Sequence, residues 1–324
     1  MLSFPLVYSS QYYLPLGTHV FPGEKYRLIH DRLLSTGIAE DSDFVAPAPA
    51  TNDDVLRVHT PEYVEKLLTG TLSYSEQMLL EIPFSREVRE GFWLMAGGSI
   101  LAARLALERN IAFNIGGGFH HAYPDHGEGF CMIHDVAIAI RRMQHDGRIQ
   151  RAMVLDCDVH HGNGTAAIFP PKQPMTTLPS AAKHAPSNSD TDVFTISLHQ
   201  QNNYPAIKPP SSIDVNLPDG IGDEQYLGWL EQALSSGLRN FNPDLLCYIA
   251  GADPYREDQL GGLRLTINGL QQRDSLVFRV ARSKNIPIMV TYAGGYARAV
   301  QDTVTIHCNT VAAAAEQNSD FRAA

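Results

Sequence analysis

RAMVLDCDVHHGNG, residues 151–164, reads as one buried strand running without a break into a cluster of polar groups. Ala152 to Leu155 are uniformly apolar, as in a parallel strand covered on both faces. Asp156, Asp158, His160 and His161 follow at its carboxyl end, where open parallel sheets bind ligands. On an extended segment residues i and i+2 point the same way, so Asp158 and His160 are predicted to reach one metal ion together, with Asp156 close behind.

Working outward, the same kind of run recurs at FPLVY (4–8), IAFNIGGG (111–118), VFTISLH (193–199), LLCYIAGAD (245–253) and PIMVTYAGG (287–295). Between them, residues 85–110, 223–241 and 267–285 carry apolar positions three or four apart, the spacing of amphipathic crossover helices. Thr60-Pro61-Glu62 supplies a further helix start, an N-cap followed by Pro at the first helical position. The alternation predicts an α/β fold in three layers, a mainly parallel sheet flanked by helices, with residues 1–324 forming one catalytic domain. Residues 170–192, dense in Pro, Ser, Thr and Ala, are predicted to be an exposed loop insert.

Four of these runs end in groups able to do chemistry: His120-His121, Asp158 with His160, Asp253, and Tyr296. Asp253 is the natural third metal ligand, because an unpaired carboxylate ending an apolar strand is costly to desolvate. Two carboxylates and one imidazole leave coordination positions open for water and a substrate carbonyl, which is the pattern of a catalytic site. Zn²⁺ suits the set first, and Fe²⁺ or Co²⁺ would also be accepted.

The blocks GGGFHHA (116–122), GFCMIHD (129–135), DCDVHHGNG (156–164), SLHQ (197–200), GAD (251–253) and GGY (294–296), in this order, resemble the zinc-dependent histone deacetylases. The likeness runs from about Val7 into the C-terminal helix. HxxxNYP-type and GDEQYL-like features bring class IV and related bacterial members nearest. The resemblance implies an arginase-like deacetylase fold and the same ligands, Asp158, His160 and Asp253. It implies that His121 is the general base and acid, and that His120, held by Asp156, acts as an electrostatic stabiliser. Tyr296 would donate its hydroxyl to the acyl oxygen as charge develops there, with Gly294-Gly295 giving its loop room to move. Asn163 stands where many class I members place an Asp beside the second His, a neutral amide in place of a carboxylate. Gly129, Phe130, Tyr204 and Leu260 match the walls of a narrow acyl-lysine tunnel. Asp156, Asp158, His160, Ser197 and Leu198 match a monovalent-cation site suited to K⁺.

The implied activity is metal-dependent removal of acetyl or longer acyl groups from lysine ε-amines in proteins or peptides. Two alternatives of other kinds remain: a small-molecule deacylase such as an acetylpolyamine amidohydrolase, or a module that binds acyl-lysine without hydrolysing it. A ureohydrolase would need a bridged metal pair, for which Asp253 lacks the second nearby Asp of a DxD motif. Net charge is −10 with no run of five basic residues, which argues against direct nucleic-acid binding. With no stretch of about 18 apolar residues, no membrane span is expected. Four scattered cysteines without a CxxC pair point to a reducing, intracellular setting, cytoplasmic or nuclear. Oligomeric state is not encoded in any of these features.

Overall fold

The computed structural model describes residues 1–172 and 192–319. Eight strands form one sheet: β1 (Leu6–Val7), β2 (Phe44–Val45), β3 (Ile111–Asn114), β4 (Ala152–Asp156), β5 (Val193–Gln200), β6 (Ile213–Leu217), β7 (Leu245–Ala250) and β8 (Ile288–Tyr292). Their order across the sheet is β2-β1-β3-β8-β7-β4-β5-β6, and every pairing is parallel. Six strands coincide with the apolar runs of the sequence. β2 and β6 do not, and both are edge strands: β2 has only two residues, and β6 alternates buried Ile213, Val215 and Leu217 with polar Asp214 and Asn216.

Ten α-helices accompany the sheet among the described residues: α1 (Lys25–Ser35), α2 (Asn52–Leu56), α3 (Pro61–Thr69), α4 (Tyr74–Leu80), α5 (Arg86–Arg109), α6 (Asp135–His145), α7 (Asn163–Ile168), α8 (Asp223–Asn240), α9 (Ile267–Ser283) and α10 (Val300–Ser319). Thr60 caps α3 as its sequence predicts, its hydroxyl accepting from the N–H of Tyr63, with Pro61 at the first position. Apolar residues of α5 and α6 cover one face of the sheet, and those of α1, α8, α9 and α10 cover the other. This gives the expected three layers. A third apolar cluster, including Phe21, Tyr26, Phe92, Phe119 and Tyr296, packs beneath the loops at the carboxyl end of the sheet. Residues 173–191, the bulk of the expected loop insert, lie outside the described residues.

Register is what gathers the chemistry. Asn114 pairs with Thr291, Ile249 with Thr291, Asp156 with Ile249, and Asp156 with Ser197. Four strands, β3, β8, β7 and β4, therefore finish within a residue of one row, while β5 runs on to Gln200, and the loops leaving these four start level with one another. Each needs only a few residues to bring His120-His121, Asp158 with His160, Asp253 and Tyr296 over the same patch.

Candidate active site

The carboxylates of Asp158 and Asp253 and the imidazole of His160 are all buried, and one donor atom from each lies within 4.8 Å of the others. His160 Nδ1 sits 3.0 Å from Asp158 Oδ1 and 3.3 Å from Asp253 Oδ2. The way Asp158 meets His160 differs from the extended segment expected. β4 stops at Asp156 and the chain bends, with Asp156 Oδ1 accepting from the Asp158 N–H (3.1 Å) and Asp158 Oδ1 from the His160 N–H (2.9 Å). The two side chains converge because each carboxylate captures the amide two residues on, as Asx turns do.

The set suits a divalent cation. Asp253 Oδ1 accepts from the Val159 N–H at 2.9 Å, but Asp253 Oδ2, fully buried, has no hydrogen-bond partner among the described residues. Such an oxygen is costly unless a cation meets it. Burial lowers the His160 pKa, yet its contact with Asp158 and the nearby Asp253 carboxylate more than reverse this and push it up to about 10. Burial and the Asp158 charge push Asp253 up to about 7. Without a metal the cluster draws in protons, the positive charge that a metal would replace.

The adjacent histidines stand in opposite electrostatic settings. His120 Nδ1 lies 2.6 Å from Asp156 Oδ2; burial opposes its protonation, but Asp156 and Asp158 push its pKa up to about 9. His121 Nδ1 lies 2.6 Å from Asn163 Oδ1, and burial, reinforced by the charges of His120 and His160, pushes its pKa well below the usual imidazole range. The surroundings thus favour the cation at one ring and the neutral form at its neighbour, 4.1 Å away between centroids.

Sequence reading missed the residue that supports this pair. Glu128 Oε1 accepts from Asn163 Nδ2 (2.9 Å) and from the Tyr204 hydroxyl (2.7 Å). Because Nδ2 is committed to Glu128, the Asn163 amide must present its oxygen to His121, and His121 must carry its proton on Nδ1. The carboxylate absent at Asn163 is thus present one hydrogen bond further out. Glu128 sits outside any recognisable ligand spacing, so only its position directly before Gly129 hinted at it.

Above these groups opens a cavity of about 220 Å³ whose lining includes His121, Gly129, Phe130, Tyr204, Leu260 and Tyr296. All four predicted tunnel residues are there. Phe21, from outside every motif, completes an aromatic collar with Phe130 and Tyr296, at ring separations of 6.5 and 6.3 Å. Gly129 has φ +52°, and a Cβ on it would come within 2.8 Å of His121 Cδ2 and 2.9 Å of Tyr204 Cε1. Burial, with the nearby Asp158 and Asp253, pushes the Tyr296 phenol pKa well up, which keeps it a proton donor.

The Tyr296 loop is fastened rather than loose. Asp258 accepts from the N–H groups of Tyr296 (2.7 Å), Leu260 (2.8 Å) and Gly261 (3.0 Å). The Gly294 N–H donates to Asp158 Oδ2 at 2.8 Å, and a Cβ there would fall 1.9 Å from Asp253 Oδ2. Glycine at 294 serves this close approach to the carboxylates, not the mobility expected from the Gly pair. Two buried cations, also unseen in the sequence, complete the frame. Lys25 Nζ donates to Ala293 O at 2.6 Å, and Arg273 Nη1 donates to Gly251 O at 2.6 Å. Of the residues expected to hold K⁺, Asp156 and Ser197 are register partners on β4 and β5.

Residues 19–311 match the histone deacetylase domain family. An uncharacterized protein of Picosynechococcus sp. is 37% identical over 307 residues, covering 94% of this chain and 96% of that protein. Histone deacetylase 2 of Arabidopsis thaliana is 33% identical over 316 residues, covering 92% and 77% respectively. Among solved structures, a histone deacetylase homologue from Aquifex aeolicus superimposes with a TM-score of 0.76 at 22% identity, over 98% of this chain and 84% of that one.

Proposed function

The chain belongs to the histone deacetylase family of hydrolases, and from that premise we propose that it cleaves the ε-amide of acyl-lysine in proteins or peptides. The observation that carries this reading is the adjacent pair His120, held by Asp156, and His121, held by Asn163, both set against the Asp158–His160–Asp253 cluster at the base of an aromatic-walled cavity. Zn²⁺ is the ion this donor set suits best, with Fe²⁺ or Co²⁺ next. When bound it would polarise the acyl carbonyl and make water nucleophilic at neutral pH.

The remaining work falls to side chains of this protein. His121 Nε2, left with a lone pair by the Nδ1 contact to Asn163, takes a proton from the attacking water and returns it to the departing lysine amine. His120, held positive by Asp156, stabilises negative charge developing beside it. Tyr296 donates its hydroxyl to the acyl oxygen. Phe130, Leu260 and Tyr204 enclose the lysine stem and exclude water, and the Gly129 carbonyl accepts the substrate N–H. K⁺ bound by the carbonyls of Asp156, His160 and Leu198, with Asp158 and the Ser197 hydroxyl, belongs to the same reading and would show as potassium-dependent activity.

Peptides carrying lysine acylated with chains from acetyl to myristoyl, assayed with and without a chelator, test the proposal. Release of the free acid that stops on chelation and returns with Zn²⁺ is expected; binding without acid release would instead support a non-catalytic acyl-lysine module. One observation favours a small-molecule substrate as the second reading: Glu81 is exposed at the cavity lining and offers a carboxylate to a cationic acylpolyamine. Acylpolyamines included in the same panel, with turnover well above that of the peptides, would establish it. Asp258, the next Asp after Asp253 in its loop, is committed to three backbone N–H groups, which argues against the bridged metal pair of a ureohydrolase.

A further inference from the structure

Immediately beyond His160 the chain turns a second imidazole to the other side, where it meets two donors from the edge of the sheet. His161, His199 on β5 and Asp214 on β6 are all buried, and one donor atom from each lies within 4.8 Å of the others. His161 Nε2 is 3.3 Å from Asp214 Oδ1, and the rings of His161 and His199 stand 4.6 Å apart at 82°.

The hydrogen bonds that would explain such a cluster without a ligand are missing. Neither ring nitrogen of His161, nor His199 Nε2, nor Asp214 Oδ1 has a hydrogen-bond partner among the described residues. At 3.3 Å, His161 Nε2 and Asp214 Oδ1 approach closely without hydrogen-bond geometry. The outward-facing atoms are committed elsewhere: His199 Nδ1 is 3.0 Å from the Ser197 hydroxyl, and Asp214 Oδ2 accepts from the Ser211 N–H at 3.0 Å. Contacts of this kind orient metal-binding imidazoles and carboxylates from behind.

We propose that His161, His199 and Asp214 bind a second divalent cation of the Zn²⁺ class. Tetrahedral zinc with bonds near 2.0–2.1 Å places its ligand atoms about 3.3 Å apart, so small side-chain rotations would close the present cluster around an ion. Two imidazoles and one carboxylate are borderline donors, which select zinc over Mg²⁺ or Ca²⁺. The site is separate from the Asp158–His160–Asp253 cluster and shares no ligand with it. Burial of all three residues gives a substrate no approach, so the ion is structural: it ties the loop carrying His160 to β5 and the edge strand β6.

Zinc counted in the full chain, after loading with Zn²⁺ and gel filtration, tests the assignment. Two ions per chain are expected for the wild type. His199→Ala and Asp214→Asn should each retain one, and Asp253→Asn should retain one while losing the other site. Wild-type protein holding a single zinc, or two that both survive Asp214→Asn, would overturn the proposal. Should either of the His199 and Asp214 variants fail to fold, anomalous diffraction at the zinc edge from zinc-loaded wild-type crystals decides instead. A peak enclosed by His161, His199 and Asp214 supports the site, and no peak there disproves it.

Discussion

At Glu128 a single carboxylate fixes both an amide and a tautomer. Glu128→Leu frees Asn163 to turn its NH₂ toward His121, which moves the proton to Nε2 and removes the base; a wrong tautomer in a comparable His-dependent site costs up to about 10⁴ in turnover. We expect kcat to fall by at least about 10² with little change in KM, whereas Glu128→Gln, which still offers an oxygen to Asn163 and Tyr204, restores most of it. Equal losses in the two variants would mean that charge, rather than orientation, is what Glu128 supplies. The proposed metal ligands carry a second expectation. His160 is protonated below about pH 10 and Asp253 below about pH 7, and an entering cation must displace those protons. Calorimetry in buffers of differing ionisation enthalpy should find about one proton released per Zn²⁺ at pH 8 and nearly two at pH 6. Affinity therefore rises with pH over this range, and binding without proton release would contradict the assignment of these ligands.

Loops, rather than strands, hold the geometry at the scale of elements. The Gly129–Phe130 segment runs through two consecutive positive φ values, +52° and +68°, with both amides hydrogen bonded to α4 carbonyls, Gly129 N to Leu79 O at 3.2 Å and Phe130 N to Leu80 O at 3.0 Å. Gly129→Ala meets left-handed strain of about 1–2 kcal/mol and also pushes its Cβ against His121 and Tyr204. Gly147 offers the matched control, with φ +68° and nothing within 4 Å of a built Cβ. Both alanine variants should lose stability in thermal melts, Gly129→Ala at least as much as Gly147→Ala, and only Gly129→Ala should lose activity, by tenfold or more. Strand identity was plain in the sequence wherever both faces are buried, as at Ala152–Asp156 and Leu245–Ala250. It was hidden at β6, where buried polar Asp214 and polar Asn216 alternate with apolar residues at the sheet edge and break the apolar run.

Across the whole molecule, a buried cation joins the helical layer to the site. Arg273 on α9 donates to Asp274 Oδ1 (2.9 Å) and to Gly251 O (2.6 Å), while Asp274 also accepts from the Tyr248 hydroxyl (2.6 Å) and from Thr310 on α10 (2.7 Å). Arg273→Ala strands a fully buried carboxylate and should cost about 3–5 kcal/mol, read from denaturant unfolding. A loss below 1 kcal/mol would show that Asp274 is neutral or rehydrated in the variant. From the sequence alone came the parallel sheet, the resemblance to the histone deacetylases and the short list of ligands, because burial on two faces and ligand chemistry both demand particular residue types at particular spacings. Tertiary structure alone decided the rest: the level row of strand ends, the orientation that Glu128 imposes on Asn163, the fastening by Lys25, Asp258 and Arg273, and the meeting of His161 with His199 and Asp214. These depend on contacts between residues far apart in the chain, and a carboxylate or a lysine reads the same in a sequence whether it faces water or lies buried against a partner.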